Sequence, residues 1–325
     1  MTEGDSERLR KEWYKKVYSL RTSAGPSARP EYHNVAQDSN REIAAKAGKE
    51  ESIALDNPPT DSLVVSALPE EHHAIKRSLF YNRNTRDQQV GGQYFTASEV
   101  RGLDDSVTVA TTCFSQMGMV PAAILTTRAL ISLKPKLVII GGICAGVEKK
   151  TKIGDLVIGS DMFNYDSKKV TKDKELADYS PVPIHWDLQN ALNAMLEDQN
   201  LAASLEQEWT AKDPRPEHSI SLHLAPFASG SAVIADSEVF EEIKQHQRRV
   251  RGLDMETFGV AKAVHYESNI KFLAVKSVCD FGNEEKAEDA HDNDKYRSFC
   301  CAMSAAFIKR FLNKLPYRSL FSLNQ

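Results

Sequence analysis

Six apolar runs punctuate the chain from residue 62 onward: SLVVSAL (62–68), VTVATTCF (107–114), KLVIIGGI (136–143), GDLVIGSDMF (154–163), SGSAVIA (229–235) and IKFLAVKSVCD (270–280). Several are continuous aliphatic stretches rather than alternations, which is the pattern of strands covered on both faces. Between them, apolar residues recur at helical spacing over about 70–82, 119–133, 184–207, 237–248, 256–267 and 293–314. Strand and helix in alternation predict an α/β fold with a central mixed, largely parallel twisted sheet flanked by helices. Residues 1–60 break this pattern. Pro, Gly, Ser and mixed charge without sustained periodicity predict a tail or linker there, in which Leu9, Trp13, Val17 and Leu20 would line one face of a short helix. The folded domain is expected over 61–316, with a short tail over 317–325.

Composition narrows the classes. Of 325 residues, 41% are hydrophobic and 26% charged, the balance of a globular protein. A formal net charge of -4 offers no basic field, so no nucleic-acid partner is expected. No run of 18 apolar residues occurs and the N-terminus MTEGDSERLRKEW is too polar for a signal peptide, so no membrane partner and a cytoplasmic location are expected. Cys113, Cys144, Cys279, Cys300 and Cys301 are odd in number, lack C-x-x-C spacing and sit in apolar surroundings. They read as buried, reduced thiols, and neither a metal nor a cofactor is expected.

Ligands of open α/β sheets bind beyond the carboxyl ends of the strands, so the residues closing each run bear the candidate chemistry. After SLVVSAL come Glu70 and Glu71, after KLVII comes GGICAG, and after FLAVKSVC comes Asp280. GGICAG fails the Walker and dinucleotide patterns. It reads either as a tight strand-to-loop turn or as a loop, around Gly142, that leaves room for a flat ligand. Asp280 alone reads equally as a helix cap or a loop acid, and Glu71 as first-turn charge on the helix that follows. In GLDMETFGVAKAV, Met255 and Glu256 open a small-residue helix and set a greasy wall beside a hydrogen-bond acceptor, while Asp254 caps or supports the loop.

Taken in order, IIGGICAGVEKKTKIGDLVIGS, GLDMETFGVAKA and AVKSVCDFGN resemble the purine nucleoside phosphorylase and nucleosidase superfamily, over residues 61–315. The resemblance implies hydrolysis of the N-glycosidic bond of a purine nucleoside or nucleotide. By it, Met255 and Glu256 hold the ribose, and Asp280, aided by apolar neighbours such as Phe281, protonates the departing base at N7. Glu71 orients the attacking water, with Ser115 near the water site, and the backbone of Val233 and Ile234 reads the purine edge. Phosphorylases of the superfamily grip phosphate with an R-x-G-S pattern, whereas this chain has Ile140 and Ile143 there, which favours water over phosphate. ALPEE, GICAG, FNYDSKK and ASGSAVIAD are similar to a branch found in immune effector proteins, some of which cleave ATP to adenine and ribose triphosphate. In that case Lys168, Lys169 and Lys276 are candidates for a 5'-phosphate chain. The resemblance also implies a homo-oligomer. A phosphate-dependent phosphorylase and a catalytically silent adenine-nucleotide sensor remain as alternatives.

Overall fold

The computed structural model describes residues 60–172, 174–232, 237–282 and 295–321. The N-terminal segment with its short helix lies outside them. Strand β1 (Ser62–Ser66) leads into helix α1 (Pro69–Phe80). Strands β2 (Arg86–Val90), β3 (Gln93–Arg101) and β4 (Ser106–Cys113) follow as an antiparallel meander. Helix α2 (Met119–Leu133), β5 (Leu137–Gly146) and β6 (Leu156–Asn164) come next, then the short β7 (Lys168–Val170), β8 (Glu175–Ala177) and β9 (Val182–Pro183). Helices α3 (Trp186–Leu196) and α4 (Leu201–Glu206) precede β10 (Leu222–Ser229) and α5 (Ser237–His246). The chain continues through β11 (Gly252–Asp254), α6 (Thr257–His265), β12 (Lys271–Asp280), α7 (Arg297–Lys314) and α8 (Tyr317–Phe321).

The main sheet runs β11-β10-β6-β12-β5-β1-β4-β3-β2, with β9 on β6. Its centre is parallel: β1 pairs in parallel with β4 and β5, and β12 with β5. The β12–β6 and β11–β5 pairs are antiparallel, so the sheet is mixed. Because β11 pairs with both β10 and β5, strands β5, β12, β6, β10 and β11 are joined in a ring of pairings. All ten residues of β5 are buried, which is why that segment reads as a continuous apolar run. Helices α1 and α7 pack on each other and on β5, while α6 packs against β6, β10 and β12 with α2 upon it. The α2–α6 contact is close because Gly259 has no side chain: a Cβ there would lie 2.3 Å from the Met119 carbonyl oxygen.

Several expectations from the hydrophobic pattern need correction. The run at 229–235 is not where the strand lies: β10 occupies 222–229, ending where the run begins, and residues 233–235 lie outside the described ones. Pro226 hid it, since proline cannot donate to a strand ladder, but here it sits at the irregularity between Ala225 and Phe227. The single helix expected over 184–207 is two, α3 and α4, interrupted at 197–200. The β2–β3 hairpin escaped notice because β2 is largely exposed and polar. Its turn is Gly91–Gly92, both at positive φ, as a two-residue hairpin loop requires. Beyond 316, expected as a tail, α8 docks through buried Tyr317, whose hydroxyl donates to the Asp61 carbonyl.

Candidate active site

The loop after β1 turns into α1 at Pro69, whose fixed φ and missing N–H suit a first helical position. Two residues on, Glu71 folds back over the turn. Its Oε2 accepts the N–H groups of Ala67 and Leu68, each at 2.9 Å, and its Oε1 accepts the Ile143 N–H at 2.8 Å. First-turn charge is thus only part of its role; three backbone donors from two segments fix a buried carboxylate. Gly142 makes the approach possible. It holds φ +145, its N–H donates to Ser304 Oγ at 2.9 Å, and a Cβ on it would stand 2.0 Å from Glu71 Oε1.

Asp254 ends β11 and caps α6. Its Oδ1 accepts from Ser229 Oγ at 2.8 Å, from the Glu256 N–H at 3.2 Å and from the Thr257 N–H at 3.1 Å, and its Oδ2 accepts from Thr257 Oγ1 at 2.5 Å. Between Asp254 and Glu71 stands Lys276 of β12, fully buried, with Nζ 3.4 Å from Asp254 Oδ2 and 3.8 Å from Glu71 Oε1. Burial works against its charge, but Glu71, Asp254 and Glu256 outweigh burial and hold the ammonium above the ordinary lysine range.

Glu256 stands at the N-cap position of α6 without capping it. Its Oε1 instead accepts the Gly118 N–H at 2.8 Å. Burial, then repulsion from Asp254, pushes its carboxyl up to about 7, against the pull of Lys276 and the Gly118 N–H. Asp280 closes β12 after a register shift between Val278 and Asp280 that leaves Cys279 unpaired with β5. Its Oδ1 accepts the Gly282 N–H at 2.9 Å, and its Oδ2 lies 3.3 Å from the Cys279 thiol, a weak donor.

Glu71, Asp254, Glu256, Lys276 and Asp280 line one cavity of about 220 Å³. Leu68, Met117, Ile143, Cys144 and Met255 supply apolar wall, and Arg297 lines it from the first residue of α7. Three larger hollows, of about 520, 430 and 320 Å³, contain none of the residues singled out in the sequence. Among the described residues no group of three or more His, Cys, Asp and Glu side chains is arranged to hold a metal ion, and no helix is long and apolar enough to cross a membrane.

Other expected residues fall elsewhere. Lys168 is exposed on the β7–β8 hairpin, paired with Glu175, and Lys169 is exposed beside it; neither lines the cavity. Lys276 does, but as the counter-ion of Asp254 and Glu71 rather than as a free cation. Ser115 is exposed and Phe281 packs half-buried on the core, both outside the lining. Val233 and Ile234 lie outside the described residues, although their neighbour Ala232 lines the cavity. Sequence reasoning missed Arg297, which lines the cavity, and Ser304, whose hydroxyl accepts the Gly142 N–H; both come from α7, far along the chain from the other site residues.

The family model of the phosphorylase superfamily matches residues 62–313, and the chain belongs to that superfamily. It is 31% identical over 227 residues to the uncharacterized protein y4jS of Sinorhizobium fredii, covering 69% of this chain and 54% of that protein. It is 27% identical over 266 residues to the ATP nucleosidase Cap17 of Escherichia coli, covering 77% of this chain and 52% of Cap17. The chain therefore spans about half the length of these two relatives. Among solved structures, the Helicobacter pylori 5'-methylthioadenosine/S-adenosylhomocysteine nucleosidase matches with a TM-score of 0.60 at 15% identity, over 78% of this chain and 98% of that one. That likeness carries the fold.

Proposed function

We propose that this protein hydrolyses the N-glycosidic bond of an adenine nucleoside or nucleotide, with ATP to adenine and ribose triphosphate as the specific form, in a nucleotide-depleting role in the cytoplasm. The observation that carries the reading is the meeting of Glu71, Glu256 and Asp280, from three distant segments, in one cavity. Cleavage passes through a sugar with oxocarbenium character. The barrier falls when the leaving base receives a proton and the cationic sugar meets an anion and a water. Asp280 gives its proton to N7 as the bond from the anomeric carbon to the base breaks, Glu71 orients the water that bonds to that carbon and takes the proton the water sheds, and Glu256 with Met255 holds the ribose.

Support comes from two directions. The family's nucleosidases, Cap17 among the relatives, are named for this reaction. Ile140 and Ile143 stand where a phosphate would need Arg and Ser, and Ile143 forms apolar wall in the cavity, so a phosphate dianion lacks partners there. A homo-oligomer belongs to the same reading: Val120, Ile124 and Ile131 expose an apolar stripe on α2, and Met117 beside them reaches both solvent and cavity.

The test incubates purified protein with adenosine, methylthioadenosine, AMP and ATP, with and without inorganic phosphate, and follows free base by chromatography. Adenine release without phosphate is expected, lost by roughly 10²–10⁴-fold in Asp280→Asn with the fold intact. Dependence on phosphate would make the protein a phosphorylase, and base release unaffected by Asp280→Asn would remove Asp280 from the reaction.

A further inference from the structure

The hollow of about 520 Å³ opens on β6 and β10 and shares no lining residue with the cavity around Glu71. It sits at an irregularity of the sheet. β10 pairs with β6 at Ala225 and Gly159 and resumes at Phe227 and Met162, so Pro226 alone faces both Ser160 and Asp161. Proline has no N–H to offer the ladder, and an extra residue in one strand bends it and re-aims its side chains. Ser160 and Asp161 line the hollow there, with Gln189 of α3 and His223 of β10. Arg249 and Arg251, in the segment leading into β11, close its other side.

The polar groups of this hollow divide by charge. The Arg251 N–H donates to the Pro226 carbonyl at 3.2 Å, and its Nη1 donates to the carbonyls of Arg249 and Val250 at 3.3 and 3.1 Å. Those bonds fix the guanidinium, and no carboxylate among the described residues pairs with it or with that of Arg249. Lys150 adds to the same field: burial, then repulsion from Arg251 and Lys244, holds its ammonium below the ordinary lysine range. His223 is set in place by Asp155, a buried carboxylate 3.0 Å from Nε2 that itself accepts the N–H groups of Ser221 and Lys152 at 2.8 and 2.9 Å. On the far side stands Asp161, whose Oδ2 takes the Ser160 hydroxyl at 2.7 Å while Oδ1 has no partner among the described residues. Strands β11, β10 and β6 are neighbours, so two strand spacings, about 10 Å, separate the arginine end from the acid end. Adjacent guanidiniums without a counter-ion call for an anion, and phosphate oxygens match their forks in parallel hydrogen bonds. Asp161 repels a second anionic group and offers an acceptor to a hydroxyl. We infer that this hollow is a binding site for a sugar phosphate, its phosphate held by Arg249, Arg251 and His223 and a sugar hydroxyl by Asp161. Arg251 precedes β11 and Asp254 ends it, so this site and the catalytic cavity lie at opposite ends of that strand.

Calorimetric titration of the full chain with ribose 5-phosphate, ribose and inorganic phosphate tests the site without reference to turnover. The titrations are repeated in Glu256→Ala, which tells this site apart from sugar phosphate held in the catalytic cavity. Ribose 5-phosphate is expected to bind more tightly than phosphate or ribose, and equally in both proteins. Arg249→Gln should weaken it by roughly 10- to 100-fold, the worth of a charged hydrogen-bonded contact. The Arg249 side chain has no partner among the described residues, so that change leaves the fold undisturbed. Arg251→Gln, checked by an unchanged melting temperature, should act alike, and Asp161→Asn should weaken ribose 5-phosphate without weakening inorganic phosphate. The inference is overturned if ribose 5-phosphate does not bind, if its affinity is the same in Arg249→Gln, if Glu256→Ala abolishes its binding, or if inorganic phosphate binds as tightly. Adenine release, where the unaltered protein shows it, should be unchanged in Arg249→Gln; its loss would place Arg249 in the catalytic machinery and overturn the assignment of a separate site.

Discussion

Replacing Gly142 by alanine puts the geometry around Glu71 to a direct test. The added Cβ would lie 2.0 Å from Glu71 Oε1, 2.2 Å from its Cδ and 2.7 Å from Oε2. Carbon and oxygen without a bond keep about 3.3 Å between them, so the carboxylate has to retreat by roughly 1 Å. It then loses the Ile143 N–H, now at 2.8 Å, and leaves that buried donor unpaired. Losing a hydrogen bond to a charged group costs about 1.5–3 kcal/mol, and forcing a non-glycine residue to φ +145 costs about 1–3 kcal/mol more. Together these give a loss of about 3–5 kcal/mol, or a melting temperature lower by roughly 10 °C. Activity should fall by about 100-fold, the effect of a catalytic group displaced by about 1 Å. Gly92→Ala is the control, because Gly92 also has positive φ, +81, but nothing within 4 Å of a Cβ. Thermal melts and base-release rates of the two variants separate backbone strain from collision with Glu71. Equal melting temperatures and equal rates for both would refute the account of Gly142.

Three further outcomes are expected. Glu256, raised by burial from 4.5 to about 7, binds its proton more tightly folded than unfolded. The stability this gives is therefore present below pH 4.5 and lost as pH rises through about 7, by at most about 3 kcal/mol. Urea titrations across pH 4.5–8 should show a flatter profile in Glu256→Gln, and identical profiles would contradict the raised value. Lys276→Met strands Glu71 and Asp254 as buried charges and should cost about 3–5 kcal/mol in chemical denaturation; unchanged stability would show that the ammonium is not their counter-ion. The Tyr165 hydroxyl is buried without a hydrogen-bond partner among the described residues, so Tyr165→Phe should leave stability unchanged or raise it by up to about 1 kcal/mol. A clear loss in a thermal melt would reveal a partner.

Much of the fold was legible because its central strands are covered on both faces. β5 and β12 could be located from aliphatic runs alone, since every residue of β5 and nearly every residue of β12 is buried. Exposed β2 carried no such signal, and β10 was misplaced because a proline inside a strand argues against a strand unless the ladder is already irregular there. Glu71, Glu256 and Asp280 stood out as candidates because each follows or flanks an apolar element at the sheet end where ligands of such folds bind, and the resemblance to the superfamily, not position alone, singled them out from bland readings. Lys276 was picked for a 5'-phosphate chain because in the sequence it is a lysine near an acid, and nothing there shows that Glu71 and Asp254 enclose it.

The sequence by itself determined that an α/β sheet forms, which segments are its central strands, and which acids stand at their ends, because hydrophobic periodicity and strand termination are local properties of the chain. Only the tertiary structure decided which charges are neighbours. Lys276 is 205 residues from Glu71 and 22 from Asp254, Arg297 reaches the cavity from the start of α7, and Ser304 clasps Gly142 across 162 residues. Ion pairing acts over a few ångströms of space and is indifferent to separation along the chain, so it exists only once the strands have been brought side by side.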